Sequence, residues 1–247
     1  MANWQDPRVT GANTATVGVP SAARDVGLRS YMLSVYNYMA SGVLLTGIVA
    51  MLFANSGLVS LLVNPQTGAP SLLFYVALFA PLGLVMWLGY GINRMSTSTA
   101  QAVFWLYAAL IGVQFSTLFL VYTGVSIAQT FFATAVSFLA MSLFGYTTKR
   151  DLSGFGTFLL MGVVGLFVAL LINMFLRSPV FDLAISAIGV LIFAGLTAYR
   201  TQQIKSSYFA VAGTTMAVKS AVVGALGLYI AFINMFLFLL RFTGNRR

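Results

Sequence analysis

No cysteine, histidine or glutamate occurs in this 247-residue chain, and its only acids are Asp6, Asp25, Asp151 and Asp182. Absence of thiols excludes disulfides, thiolate metal sites and cysteine nucleophiles. Without imidazole or glutamate, the commonest general bases and metal ligands are missing too. The expectation is therefore no enzyme activity, no metal site and no resident cofactor. Charge is scarce as well. Charged residues make up 7% of the chain, against ~25% in an average soluble domain.

Apolar residues fill the space: 60% of the chain is hydrophobic. They fall into seven runs, at 31–54, 72–91, 100–122, 126–146, 156–176, 181–199 and 215–240. A spanning helix needs ~20 mostly apolar residues to cover ~30 Å of hydrocarbon. A soluble helical protein would show polar outer faces, and these runs are apolar around nearly their whole circumference. A β-barrel would show ~10-residue alternating segments instead. The fold class is an all-α integral membrane protein with seven transmembrane helices and the lipid bilayer as its main partner.

The chain divides into a polar N-terminal tail over 1–30, a membrane domain over 31–241 and a short basic tail over 242–247. The formal charge of +9 does not point to nucleic acid, because the basic residues are scattered rather than gathered on one face. Their role is orientation. A cytoplasmic N-terminus puts Arg8, Arg24, Arg29, Arg94, Lys149, Arg150, Arg200, Lys205 and Lys219 inside, and Arg177, Arg241, Arg246 and Arg247 outside. This follows the positive-inside rule, and the connections at 55–70 and 123–125 carry no charge. The expected location is the inner (plasma) membrane. The basic C-terminal tail fits less well: either the last run crosses regardless, or it re-enters and returns.

Few constellations could carry chemistry. The last run places Ala217, Ala221 and Ala225 at four-residue spacing, a small-residue stripe that lets helices approach closely in lipid. Its polar members Lys219, Tyr229 and Asn234 call for protein neighbours and are the candidate pore or packing residues, with Lys219 snorkelling to the boundary. The densest polar loop, Gly145 to Gly156, reads as an anchor (Lys149, Arg150) with Asp151 or Ser153 capping the next helix. It lacks the glycine spacing and the Lys-Ser/Thr pair of a phosphate cradle. No repeat relates the two halves, as a secondary transporter would usually show.

Four stretches carry a family resemblance: YMLSVYNYM from Tyr31, GYTTKRDLSGFG from Gly145, LTAYRTQQIK from Leu196 and GLYIAFINMFLFLLR from Gly227. Together they resemble bacterial members of the Bax inhibitor-1 family, over most of the chain and in the same order of spans. The resemblance implies six helices surrounding a central, C-terminal seventh. It also implies a pH-dependent calcium leak and a stress-associated role, built on two membrane aspartates that share a proton. Some relatives instead imply a non-conducting regulator that modulates a membrane-bound protease.

At both aspartate positions this chain departs from the pattern. Arg200 stands at the first and Ala231 at the second. Arginine stays cationic at every physiological pH, and alanine neither titrates nor coordinates. Calcium takes ~6–8 oxygen ligands, carboxylates among them, so calcium is expected to be at most a weak partner and pH gating to be lost.

Overall fold

The computed structural model describes residues 21–64 and 66–246, with side-chain surroundings from Asp25 onward. Residues 1–20 of the expected tail, with Asp6 and Arg8, lie outside the described residues, as do Arg247 and the side chain of Arg24. The helices are α1 (Ser21–Asn55), α2 (Leu72–Gly91), α3 (Thr97–Phe115), the single turn α4 (Leu118–Val121), α5 (Gly124–Thr147), α6 (Ser153–Leu176), α7 (Pro179–Val211) and α8 (Met216–Thr243). With α4 continuing α3, seven of these segments are long and apolar enough to cross a membrane.

Hydroxyl residues set where four of them begin. The side chains of Ser71, Ser96, Thr123 and Ser178 each accept a hydrogen bond from the backbone amide three residues on. These caps satisfy helix N-termini that would otherwise present bare amides to the membrane boundary. Pro179, with its preset φ, follows Ser178 at the first helical position.

Two helices outrun the bilayer. α1 has 35 residues and α7 has 33, so each is about 50 Å long at ~1.5 Å per residue. Their extra turns project at the same end, where the rings of Tyr31 and Tyr208 lie 5.3 Å apart. Helix therefore extends beyond the apolar runs that begin at residue 31 and end at 199.

α8 is the most deeply buried span. The resemblance implied six helices around it. Four of them, α1, α3, α5 and α7, pack directly on α8, while α2 and α6 make their main contacts behind, on α3 and α7. In lipid the drive for helix association is close packing, and small residues allow it. Ala221 and Ala225 of the expected stripe are buried, and the Phe238 ring sits where a side chain at Gly189 of α7 would be.

The last helix crosses the whole bundle rather than re-entering. At its start Ser220 bonds Tyr31 of α1, 2.9 Å away. Beyond its end, Asn245 receives the Thr123 amide at 3.3 Å and donates its own amide to Ser126 at 3.0 Å. Arg246 then reaches Asp182 at 3.8 Å. The basic tail thus staples the ends of α5, α7 and α8 together.

One defect is repaired across helices. Pro81 inside α2 removes the amide that would bond the carbonyl of Ala77. The side-chain amide of Gln114 on α3 donates to that carbonyl instead. Hydrocarbon offers no water to do the same.

α5 approaches α7 closely where Gly145 faces the backbone of Ala198. Backbone cannot swing aside as a long side chain can, so Gly145→Ala should destabilise the protein by ~1–3 kcal/mol through overpacking. Gly165 on α6 faces open space, and Gly165→Ala should stabilise by ~0.5–1 kcal/mol through reduced chain entropy. Unfolding of both variants in the same detergent checks this. Equal effects of the two would sink the close-packing account.

Candidate functional site

Three of the sequence motifs converge at the end of the bundle where α1 begins. The loop between α5 and α6 is clamped by Gln202 of α7, which accepts from the Leu152 amide at 2.8 Å and donates to the Arg150 carbonyl at 2.7 Å. Lys205, one turn on, donates to the Tyr146 carbonyl at 2.7 Å with its ammonium 4.8 Å from the Tyr146 ring centre. A cation suits that place, since the last carbonyls of α5 lack intrahelical donors. From α1, the Tyr36 hydroxyl meets Ser142 at 2.5 Å, and Ser142 meets Thr201 at 3.0 Å. Tyr36, Ser142 and Thr201 therefore link α1, α5 and α7 through hydroxyl groups alone.

Leu152, and neither Asp151 nor Ser153, takes the N-cap position of α6; Asp151, just before it, accepts from the hydroxyl and the amide of Ser153 at 2.6 and 2.9 Å. Those bonds hold its exposed carboxyl below the usual carboxylate range. It stays ionised through neutral pH and is not a switch there. Asp25, Asp151 and Asp182 all lie near helix ends, so among the described residues no carboxylate sits within the middle of a span.

Arg200 lies half-buried on α7 beside Thr201. Its guanidinium donates to Gln203 at 2.9 Å and lies 6.0 Å from the Tyr199 ring centre. Among the described residues it has no ion-pair partner, the single pair being Arg246 with Asp182. Its aliphatic stem passes Gly227 of α8, where a side-chain Cβ would lie 3.8 Å from it. Ala231, one turn further along α8, is 3% exposed.

The other three candidates are not brought together. Lys219 is half-buried in the first turn of α8. Tyr229 is wholly buried, and its hydroxyl lies 2.6 Å from Thr46 of α1, which also donates to the Ala108 carbonyl of α3 at 2.8 Å. Asn234 donates to the Ile230 carbonyl of its own helix at 2.8 Å. At ~100° per residue Lys219 and Asn234 lie about 60° apart around α8 and Tyr229 about 140° from Asn234, so the three do not form a single row.

Thr46, Ser142 and Thr201 were absent from the sequence-derived candidates. Each is a lone hydroxyl inside an apolar run, and the backbone carbonyl of its own helix is always available to it. Thr46 and Thr201 do bond back to the residues four before them. Only the packing shows that they also bridge helices.

Residues 28–247 match the family described as inhibitor of apoptosis-promoting Bax1. The chain belongs to the Bax inhibitor-1 family. This member is 45% identical over 240 residues to an uncharacterized protein of Rickettsia prowazekii, covering 95% of this chain and 97% of that one. It is 46% identical over 224 residues to inner membrane protein YbhL of Escherichia coli, covering 90% of this chain and 94% of that one. An uncharacterized protein of Caulobacter vibrioides is 45% identical over 231 residues, 90% of this chain and 91% of its own length. As a Bax inhibitor-1 family member, the chain is a multi-pass membrane protein, and among the described residues its buried polar side chains are mainly serine and threonine hydroxyls.

Proposed function

We propose that this family member serves calcium leak and ion homeostasis under stress as a weakly conducting variant without a proton gate. The observation that carries the reading is the pair Arg200 and Ala231 at the positions where the resemblance puts carboxylates. Two neighbouring carboxylates share a proton because both cannot ionise cheaply. A guanidinium at one position and a methyl group at the other offer neither a titrating proton nor an oxygen for calcium. At the inner mouth the fixed positive charge of Arg200 opposes entry of a divalent cation. The role is non-enzymatic in this reading, since among the described residues no nucleophile and base converge on a cavity.

A second reading is a non-conducting regulator of a membrane-bound protease or another membrane partner. It is favoured by the satisfied interior: no buried side-chain polar atom among the described residues lacks a hydrogen-bond partner. Such a bundle holds little that would draw ions through it.

The inner membrane is the proposed location, in keeping with the name of the Escherichia coli relative, and the N-terminus is cytoplasmic. Seven crossings place the 55–70 connection and the C-terminus on one side, and the surplus of Lys and Arg at the other end favours the cytoplasm there. Reporter fusions in the 55–70 connection and after residue 125 should both read as external. Cytoplasmic signals from both would reverse the orientation.

Calcium flux into proteoliposomes separates the functional readings. The unmodified protein should pass little calcium, with nearly equal rates at about pH 6 and pH 8. In the double variant Arg200→Asp with Ala231→Asp, the shared proton leaves as pH rises. The second carboxylate then ionises and calcium entry should strengthen toward pH 8. A strong pH response in the unmodified protein contradicts the ungated reading. Complete absence of flux at both pH values, in protein shown to be folded, selects the regulator.

A further inference from the structure

α1 and α5 are tied at one end by Tyr36 and Ser142 and are separated toward the other. Between Val43–Met51 of α1 and Gly124–Phe132 of α5 lies a cavity of about 460 Å³, floored by Phe232, Ile233 and Phe236 of α8. Each wall runs about 12 Å along its helix at ~1.5 Å per residue, starting where α5 begins. The cavity therefore occupies the hydrocarbon depth of one leaflet.

Its lining is apolar except for Thr46, whose hydroxyl is already engaged by Gly42, Ala108 and Tyr229. Nothing there would hold water, which needs ~2–4 polar partners. An apolar protein cavity of ~150 Å³ suffices to bind benzene, and this one is about three times larger. Small residues keep it hollow: a Cβ at Gly47 or at Gly124 would meet nothing within 4 Å. Along its rim Leu44, Ile48, Met51 and Phe132 are exposed, so the cavity opens sideways toward lipid.

We propose that this cleft is a binding site for one acyl chain of a membrane phospholipid, which enters between α1 and α5 and packs on the phenylalanine floor of α8. Hydrocarbon is the medium at that depth, its shape suits a long two-walled slot, and its lack of polar groups matches the lining. The bound chain fills the gap between α1 and α5 beside α8, next to Phe115, Leu118 and Phe119. Through Phe232 and Thr46 it touches the same packing that holds Tyr229 in place, so lipid composition bears on the stability of the bundle.

Retention of lipid distinguishes a site from ordinary bilayer solvation. In full-length protein with Trp4, Trp87 and Trp105 changed to Phe, one reporter is placed in the cleft by Phe131→Trp. A second, Phe167→Trp, is placed on the exposed surface of α6. Both are quenched in bilayers of phosphatidylcholine with brominated chains, and the sample is then diluted into excess unbrominated lipid. The cleft reporter should recover at least ~10-fold more slowly than the surface reporter, as expected for a bound rather than a passing ligand. Filling the cleft with Gly47→Leu and Ala128→Leu, or with Gly47→Leu alone where the pair does not fold, should abolish the lag. Equal recovery of the two reporters overturns the site. So does a lag that survives filling, or one that grows with protein concentration, which would assign the cleft to a second copy of this chain.

Discussion

Everything in this bundle depends on how closely the other helices approach α8. Water supplies no hydrophobic drive inside a bilayer, so helices associate through dispersion contacts and a few hydrogen bonds. Glycine and alanine supply the approach: Gly189 receives the Phe238 ring, Gly224 lies against Ile204, and Ala221 and Ala225 are buried. Once α8 is seated, Tyr229 can reach Thr46 and Ser220 can reach Tyr31. The tail after Gly244 is then delivered to Ser126 and Asp182. The hydrogen bonds are consequences of the packing and fix its register.

Polar groups inside such a bundle have two outlets. Most hydroxyls bond back to a carbonyl of their own helix, as Thr134, Thr197 and Ser186 do. This leaves them inert toward ions. A smaller set bridges helices, through Tyr36, Ser142 and Thr201 at one level and Thr46 and Tyr229 at another. Carboxylates in those places would demand counter-charges or protons and would respond to pH. Hydroxyls demand neither. Among the described residues the middle of the bundle is therefore electrically quiet, and the half-buried charges Asp182, Arg200, Lys205 and Lys219 lie toward its ends.

The sequence makes the spans and the family plain, because both rest on long apolar runs and on contiguous motifs. The ends of α1 and α7 were less legible: helix continues beyond the apolar runs, and Tyr31 and Tyr208 pack on each other where the two helices meet. The repair of Pro81 by Gln114 joins residues distant in sequence and shows only in the fold. Of the candidate site, Arg200 and Ala231 were readable from the motif positions. The hydroxyl bridge beside them was not, since one Ser and one Thr in apolar runs look like any others. Lys219, Tyr229 and Asn234 share a helix but form no single row, which their identities alone did not reveal.

Close packing on α8, which leaves no wide aqueous path for rapid ion flow, is the claim on which both functional readings turn. The chain has no cysteine, so single cysteines can be placed along α8 and probed with a small water-soluble thiol reagent in native membranes. Positions 221, 225, 228, 231 and 235 should remain unmodified, while one at the exposed Arg241 should react readily. A continuous reactive stripe through those five positions would reveal a wide water-filled route along α8 and contradict that packing.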